Sequence, residues 1–204
     1  LLVLALGLMT AFVRRERRVR NPYVSLELLT YPMFRKATFC ATVRMFVMGG
    51  LGFLIPLYLV DTYDLTPTQL GGMLIISSGS MTLIVRFGGL MADRFSSRRF
   101  VLIGLAAQFA TMMNFWRMTE SEGIWMVGAT LSFYGLGAGL MLAALHRTAM
   151  GEIQESQMGA AAGLYSMFRF LGAVVGTAIC GVVLQHYFDA GLPTLEAYQN
   201  TFLM

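Results

Sequence analysis

The chain has 204 residues, 56% of them hydrophobic and 13% charged, with a formal net charge of +4 and a mean hydropathy of +0.64. Soluble domains carry about 25% charged residues, so this sequence lacks the polar surface that water requires, and a soluble enzyme is excluded. Its basic residues stand in short blocks between apolar runs, with no basic face interleaved with aromatics, which excludes nucleic acid as a partner.

Residues 1–13 are apolar and run into a block formed by Arg14, Arg15, Arg17, Arg18 and Arg20. A secretory signal carries its basic residues before the apolar core, and 13 residues are too few to span a bilayer that needs about 20. The segment reads as the end of a preceding transmembrane helix, and the chain as a fragment. Residues 14–36 read as a basic cytoplasmic linker containing Pro22 and Pro32. Complete spans are expected at about 37–60, 67–92, 100–116, 124–145 and 158–184, with the start of another near 197–204, so that residues 37–204 form one bundle. Thr66 before Pro67 is a helix start signal: a capping hydroxyl, then proline at the first helical position. The span at 100–116 lies at the short end of the spanning range. Barrel strands alternate polar and apolar residues, and no such alternation occurs here. The fold class is an all-α, polytopic membrane bundle.

Sidedness follows from the cations. One set of connections holds Arg14, Arg15, Arg17, Arg18, Arg20, Arg35, Lys36, Arg94, Arg98, Arg99 and Arg147, whereas the other set holds only Arg117. Short loops rich in Lys and Arg face the cytoplasm, which places the linker 14–36 and the loop 93–99 inside a multi-pass protein of the cell membrane.

Gly135 and Gly139, Gly159 and Gly163, and Gly172 and Gly176 each stand four apart, on one helix face. In lipid, small residues let helix backbones approach and pack, so these pairs read as packing positions rather than as hinges or a nucleotide loop. Three arginines fall inside spans: Arg44, Arg86 and Arg169. A charge at mid-bilayer costs about 2.5–3.5 kcal/mol on insertion scales. Arg86 lies near enough to its helix end to snorkel. Arg44 reads equally as structural or cavity-facing. Arg169 sits near mid-depth and reads as a cavity residue. Tyr134 and Met141, with Tyr165, Phe168 and Arg169 on one face, complete a set of candidate cavity residues. None of the five spans contains Asp or Glu, so if the protein moves protons the acid responsible lies outside this fragment. Cys40 and Cys180 lie in apolar runs and read as packing residues. No spacing suits a metal site, a cofactor or a catalytic triad.

The loop Gly89-Leu-Met-Ala-Asp93-Arg94-Phe-Ser-Ser-Arg98-Arg99 resembles the inner-loop signature of the major facilitator superfamily, Gly-x-Leu-Ala-Asp-Arg-x-Gly-Arg-Lys. Met91, Ser96 and Ser97 depart from that pattern, as in a degenerate second-half copy. The run from Gly159 through Arg169 to Gly172-Ala-Val-Val-Gly176 resembles the penultimate helix of fourteen-helix drug:proton antiporters. The resemblance implies the second half of a major facilitator fold, with the N-terminal half of the same protein as partner beside the lipid bilayer. It further implies proton-coupled efflux of lipophilic or cationic drugs by alternating access between two rocking bundles. Gly89, Asp93, Arg94, Arg98 and Arg99 would then form the conformational-switch loop. A carrier of a metabolite or sugar, and a membrane receptor or subunit that does not transport, stand as alternatives.

Overall fold

The computed structural model describes residues 7, 10, 11, 14, 15, 26–94, 97–119 and 122–203, with side chains left out at 26 and 89–94. Most of the expected helix at 1–13 and of the arginine block therefore lies outside the described residues. A 3-10 turn, Leu26–Thr30, leads into six helices: α1 Pro32–Tyr63, α2 Pro67–Arg94, α3 Ser97–Arg117, α4 Ile124–Met150, α5 Met158–Asp189 and α6 Thr194–Phe202. A second 3-10 turn, Glu155–Gln157, precedes α5.

The helices overrun the apolar runs that announce them. At about 1.5 Å per residue, the 32 residues of α1 reach roughly 48 Å, well beyond a hydrocarbon core of about 30 Å. Apolar patterning marks where lipid ends, but a helix stops only where something caps or breaks it. Thus α1 begins at Pro32, inside the expected linker, after the extended Tyr31. It ends at Asp64, whose left-handed backbone (φ 48°) turns its N–H onto the Val60 carbonyl. The expected loop 93–99 is mostly helical, because α2 runs through Arg94 and α3 starts at Ser97. Thr66 does mark the start of α2, with a different partner from a simple cap. Its N–H and hydroxyl both donate to Gln69 Oε1, at 3.0 and 2.9 Å, so Gln69 reaches back as in a capping box.

Four helices, α1, α2, α4 and α5, are long and apolar enough to cross a membrane by length and composition. The 21 residues of α3 are long enough, but Arg98, Arg99, Gln108, Asn114 and Arg117 lower its hydropathy. Its buried residues Phe100, Gly104, Ala107, Gln108, Thr111 and Phe115 form one stripe at helical spacing. The opposite face, with Ile103 and Phe109, is apolar and exposed. The same inversion covers the whole molecule: Trp125 is 88% exposed, Ile75 71% and Phe39 70%. Water would penalise that surface, and hydrocarbon would not.

The tightest packing joins helices distant in sequence. α1 lies along α5, and α2 along α4, while α3 packs on α4. A methyl group on Gly172 would strike the Thr42 carbonyl, and one on Gly176 the Phe46 carbonyl. Contacts advance together along both chains, so α1 and α5 are parallel. Thr177 Oγ1 donates to the Gly49 carbonyl across the same seam, at 3.0 Å. Between α2 and α4, Gly135 abuts the Ser77 carbonyl and Gly139 abuts Ile84. Gly104 and Gly137 bring α3 onto α4 in the antiparallel sense. By contrast, a methyl at Gly159 or Gly163 would meet nothing within 4 Å, so packing inside this chain does not require glycine there.

Two apolar clusters divide the bundle along its length. One gathers around Tyr58 with Leu54, Phe115, Leu131, Leu184, Tyr198 and Phe202. The other gathers around Phe34 with Ala37, Ala41, Leu145, Ala149, Ala161 and Leu164. A small third cluster, Phe100 with Ala144, seats the start of α3.

Candidate functional site

Between the two clusters lies a layer that is not apolar. Arg44 leaves α1 three residues after Ala41 and well before Leu51, and it is only 2% exposed. It is among the largest fully buried side chains of the chain. Its Nη1 donates to Met48 Sδ at 2.6 Å and to the Ala138 carbonyl of α4 at 3.5 Å. Its Nη2 donates to Met45 Sδ at 3.5 Å, and its Nε has no partner. Thioether sulfur is a weak acceptor, so this guanidinium is poorly satisfied for a group so deeply buried.

Arg169 approaches from α5. Its Nη2 donates to the same Met45 sulfur at 3.9 Å, and its Nε is also buried without a partner. The two Nη2 atoms are therefore no farther apart than their separations from that sulfur combined. The Arg169 guanidinium carbon lies 5.4 Å from the centre of the Tyr165 ring. Tyr134 of α4 and Tyr165 both stand within electrostatic reach of Arg44. Among the described residues, neither arginine has a carboxylate partner.

The balance of terms is unfavourable as it stands. A cation over an aromatic face returns about 0.5–2 kcal/mol. Against it stand two like charges close to one sulfur, which at an effective dielectric of about 20 repel by on the order of a few kcal/mol. Each charge also carries its own cost of leaving water. Attraction to the rings does not offset these. The layer is a patch of surplus positive charge inside an apolar bundle.

The structure thus brings together Arg44, Arg169, Tyr134 and Tyr165. Tyr134 belongs to the Tyr58 cluster and Tyr165 to the Phe34 cluster, so the arginines sit at the boundary. Met141 is buried in the Phe34 cluster against Gly104, and Phe168 packs on the edge of that cluster. Sequence reasoning missed Met45 and Met48, although their offsets of one and four from Arg44 place both beside it on the helix. It also missed Gly49 and Gly50, which back onto Ala173 and Cys180 of α5; the doubled glycine was the available signal. Arg86 is exposed on α2. Gly89, Asp93 and Arg94 fall in the last turns of α2 with side chains outside the described residues, while Arg98 and Arg99 are exposed at the start of α3. A separate shallow groove of about 610 Å³ opens between Phe53 of α1 and Thr177, Val182, Gln185, His186 and Asp189 of α5. It belongs to the Tyr58 end, where Gln185 Nε2 donates to Asp189 Oδ1 at 2.8 Å.

Long helices with an apolar exterior, glycine seams and a charged interior layer define a polytopic helical membrane protein. A model of the Major Facilitator Superfamily matches residues 1–177, and the chain belongs to that family, one of transporters rather than enzymes. Among curated relatives, the drug efflux pump JefA of Mycobacterium tuberculosis is 29% identical over 198 residues, which is 96% of this chain and 39% of that protein. The multidrug resistance protein Stp of the same organism is 28% identical over 187 residues, 91% of this chain and 34% of Stp. The colistin resistance protein EmrB of Acinetobacter baumannii is 25% identical over 158 residues, 74% of this chain and 31% of EmrB. The chain therefore spans about two-fifths or less of the length of these relatives.

Proposed function

We propose that the chain is the second half of a fourteen-helix secondary transporter that expels small lipophilic compounds, driven by a proton gradient. The single observation that carries the reading is the arginine layer. A family of carriers uses the middle of its bundle for cargo, and here that level holds a buried polar site which the fold alone does not need. Names of relatives support efflux as the direction and drugs as the cargo class.

In this reading the two bundles rock about the central site, and the linker and the α2–α3 connection face the cytoplasm of a cell-membrane protein. Asp93, paired with Arg94, Arg98 or Arg99, steadies one of the two states. The coupling carboxylate lies outside the described spans: Asp61 and Asp189 sit in end turns of α1 and α5 rather than at mid-depth. The test is transport by the full-length protein in proteoliposomes, using ethidium and a neutral lipophilic dye, with and without an imposed pH gradient. Faster movement of either dye with the gradient is the expected result. Equal rates with and without it would remove proton coupling, and no movement above protein-free vesicles would remove transport of such cargo.

A further inference from the structure

We infer that Arg169 and Arg44 form a binding site for a carboxylate group at the boundary between the two apolar clusters. Two guanidiniums converge there on one thioether sulfur, at 3.5 and 3.9 Å. Both leave a buried Nε–H unused. Arg44 is 2% exposed, so water does not stand in for the lost partners. Guanidinium N–H groups form a planar fork that matches a carboxylate with two parallel hydrogen bonds. A carboxylate placed between the arginines would use the idle donors and cancel the repulsion between them at once.

The geometry also orders the two residues. Arg169 is half-buried, with its guanidinium spread over the Tyr165 ring, and is the one a ligand reaches first. Arg44 lies behind it, tied to Met48 and the Ala138 carbonyl, and supplies the second charge. Met45, Met48 and Phe168 surround them with soft apolar surface that adapts to an irregular body. An amphipathic acid fits this arrangement, with its charge on the arginines and its apolar part on the methionines. The inference rests on the transporter reading only where cargo is named as the source of the carboxylate. The other source is an Asp or Glu of the protein itself.

The test uses purified full-length protein and equilibrium binding of 1-naphthoate against its neutral counterpart 1-naphthamide. A charge-assisted hydrogen bond corresponds to about tenfold to a hundredfold in affinity. Naphthoate is therefore expected to bind at least about tenfold more tightly than naphthamide, and Arg169→Gln is expected to erase that difference. Arg169→Lys, which keeps the charge but loses the fork, retains part of it and carries the comparison should Arg169→Gln fail to fold. If the carboxylate is a side chain, wild type shows no preference for naphthoate. In that case the lowered thermal stability of Arg169→Gln is restored by neutralising one Asp or Glu elsewhere, which supports the site with the second source. Equal binding of both probes together with no restoring acid overturns the inference. Both readouts are equilibrium measurements, so a protein that binds naphthoate in this way but moves no dye would sink the transport reading and leave the site standing.

Discussion

The two ends of the bundle are held by different means. Around Tyr58 the contacts are largely aromatic: rings come from α1, α3 and α6, joined by Tyr134 of α4 and Phe188 of α5, among aliphatic residues of the same helices. The Tyr58 ring meets Tyr63, Phe115, Tyr198 and Phe202 edge-on at 5.6–6.0 Å, and Phe115 stacks on Phe202 at 5.2 Å. Tyr198 also donates its hydroxyl to Asp61, and Gln199 Nε2 donates to the Met118 carbonyl at 2.9 Å. Around Phe34 four alanines, Ala37, Ala41, Ala149 and Ala161, stand among larger residues such as Phe34, Leu145, Leu164 and Tyr165, and the ring contact between helices there is that of His146 with Tyr165. There the start of α3 rests on a cluster of its own rather than on the main one. Interlocked rings fix both distance and rotation between helices, and more ring pairs meet around Tyr58 than around Phe34. On that ground the Tyr58 end is expected to be the more rigid of the two.

Three substitutions sharpen or break this contrast, in order of expected size. Tyr58→Ala removes a buried ring that touches four others, and a loss of about 3–5 kcal/mol in unfolding free energy is expected. Hydrogen exchange should then quicken in α6 and the end of α3 while the Phe34 end stays protected. A loss below about 1 kcal/mol would mean the rings are not what holds that end. Tyr198→Phe keeps the ring and deletes the donor to Asp61, so about 1.5–3 kcal/mol is expected to go, with faster exchange confined to α6. Unchanged exchange there would dissolve the idea of a clasp. Gly163→Ala, on the open face of α5 near the Phe34 end, should raise the unfolding free energy slightly, by up to about 1 kcal/mol of helix propensity, read as a small rise in thermal midpoint. A clear loss instead would show that some other segment presses against that glycine.

The all-α membrane class and the family were legible because lipid leaves few options. A backbone inside hydrocarbon must satisfy its own hydrogen bonds, and long runs without charge announce that directly. Helix ends were less legible, since Tyr31 and Asp64 stop α1 through backbone conformation that composition does not encode. The depth of Arg44 was not legible at all. Periodicity places it on a face of α1, but which helix covers that face depends on α4 and α5, more than 90 residues away. Glycine spacing has the same limit. Gly172–Gly176 and Gly159–Gly163 look alike along the chain, yet only the first pair has a backbone pressed against it.

The parallel seam between α1 and α5 bears on how the protein is made. Its hydrogen bond from Thr177 to Gly49 joins residues 128 apart. At ribosomal speeds of about 5–20 residues per second, α1 emerges on the order of 6–26 s before the surface it belongs to. Throughout that interval its glycine stripe lacks the α5 backbone it packs against, and Arg44 lacks the Arg169 that shares the Met45 sulfur. A stall in translation between α4 and α5 would leave α1 without the longest seam this chain offers it.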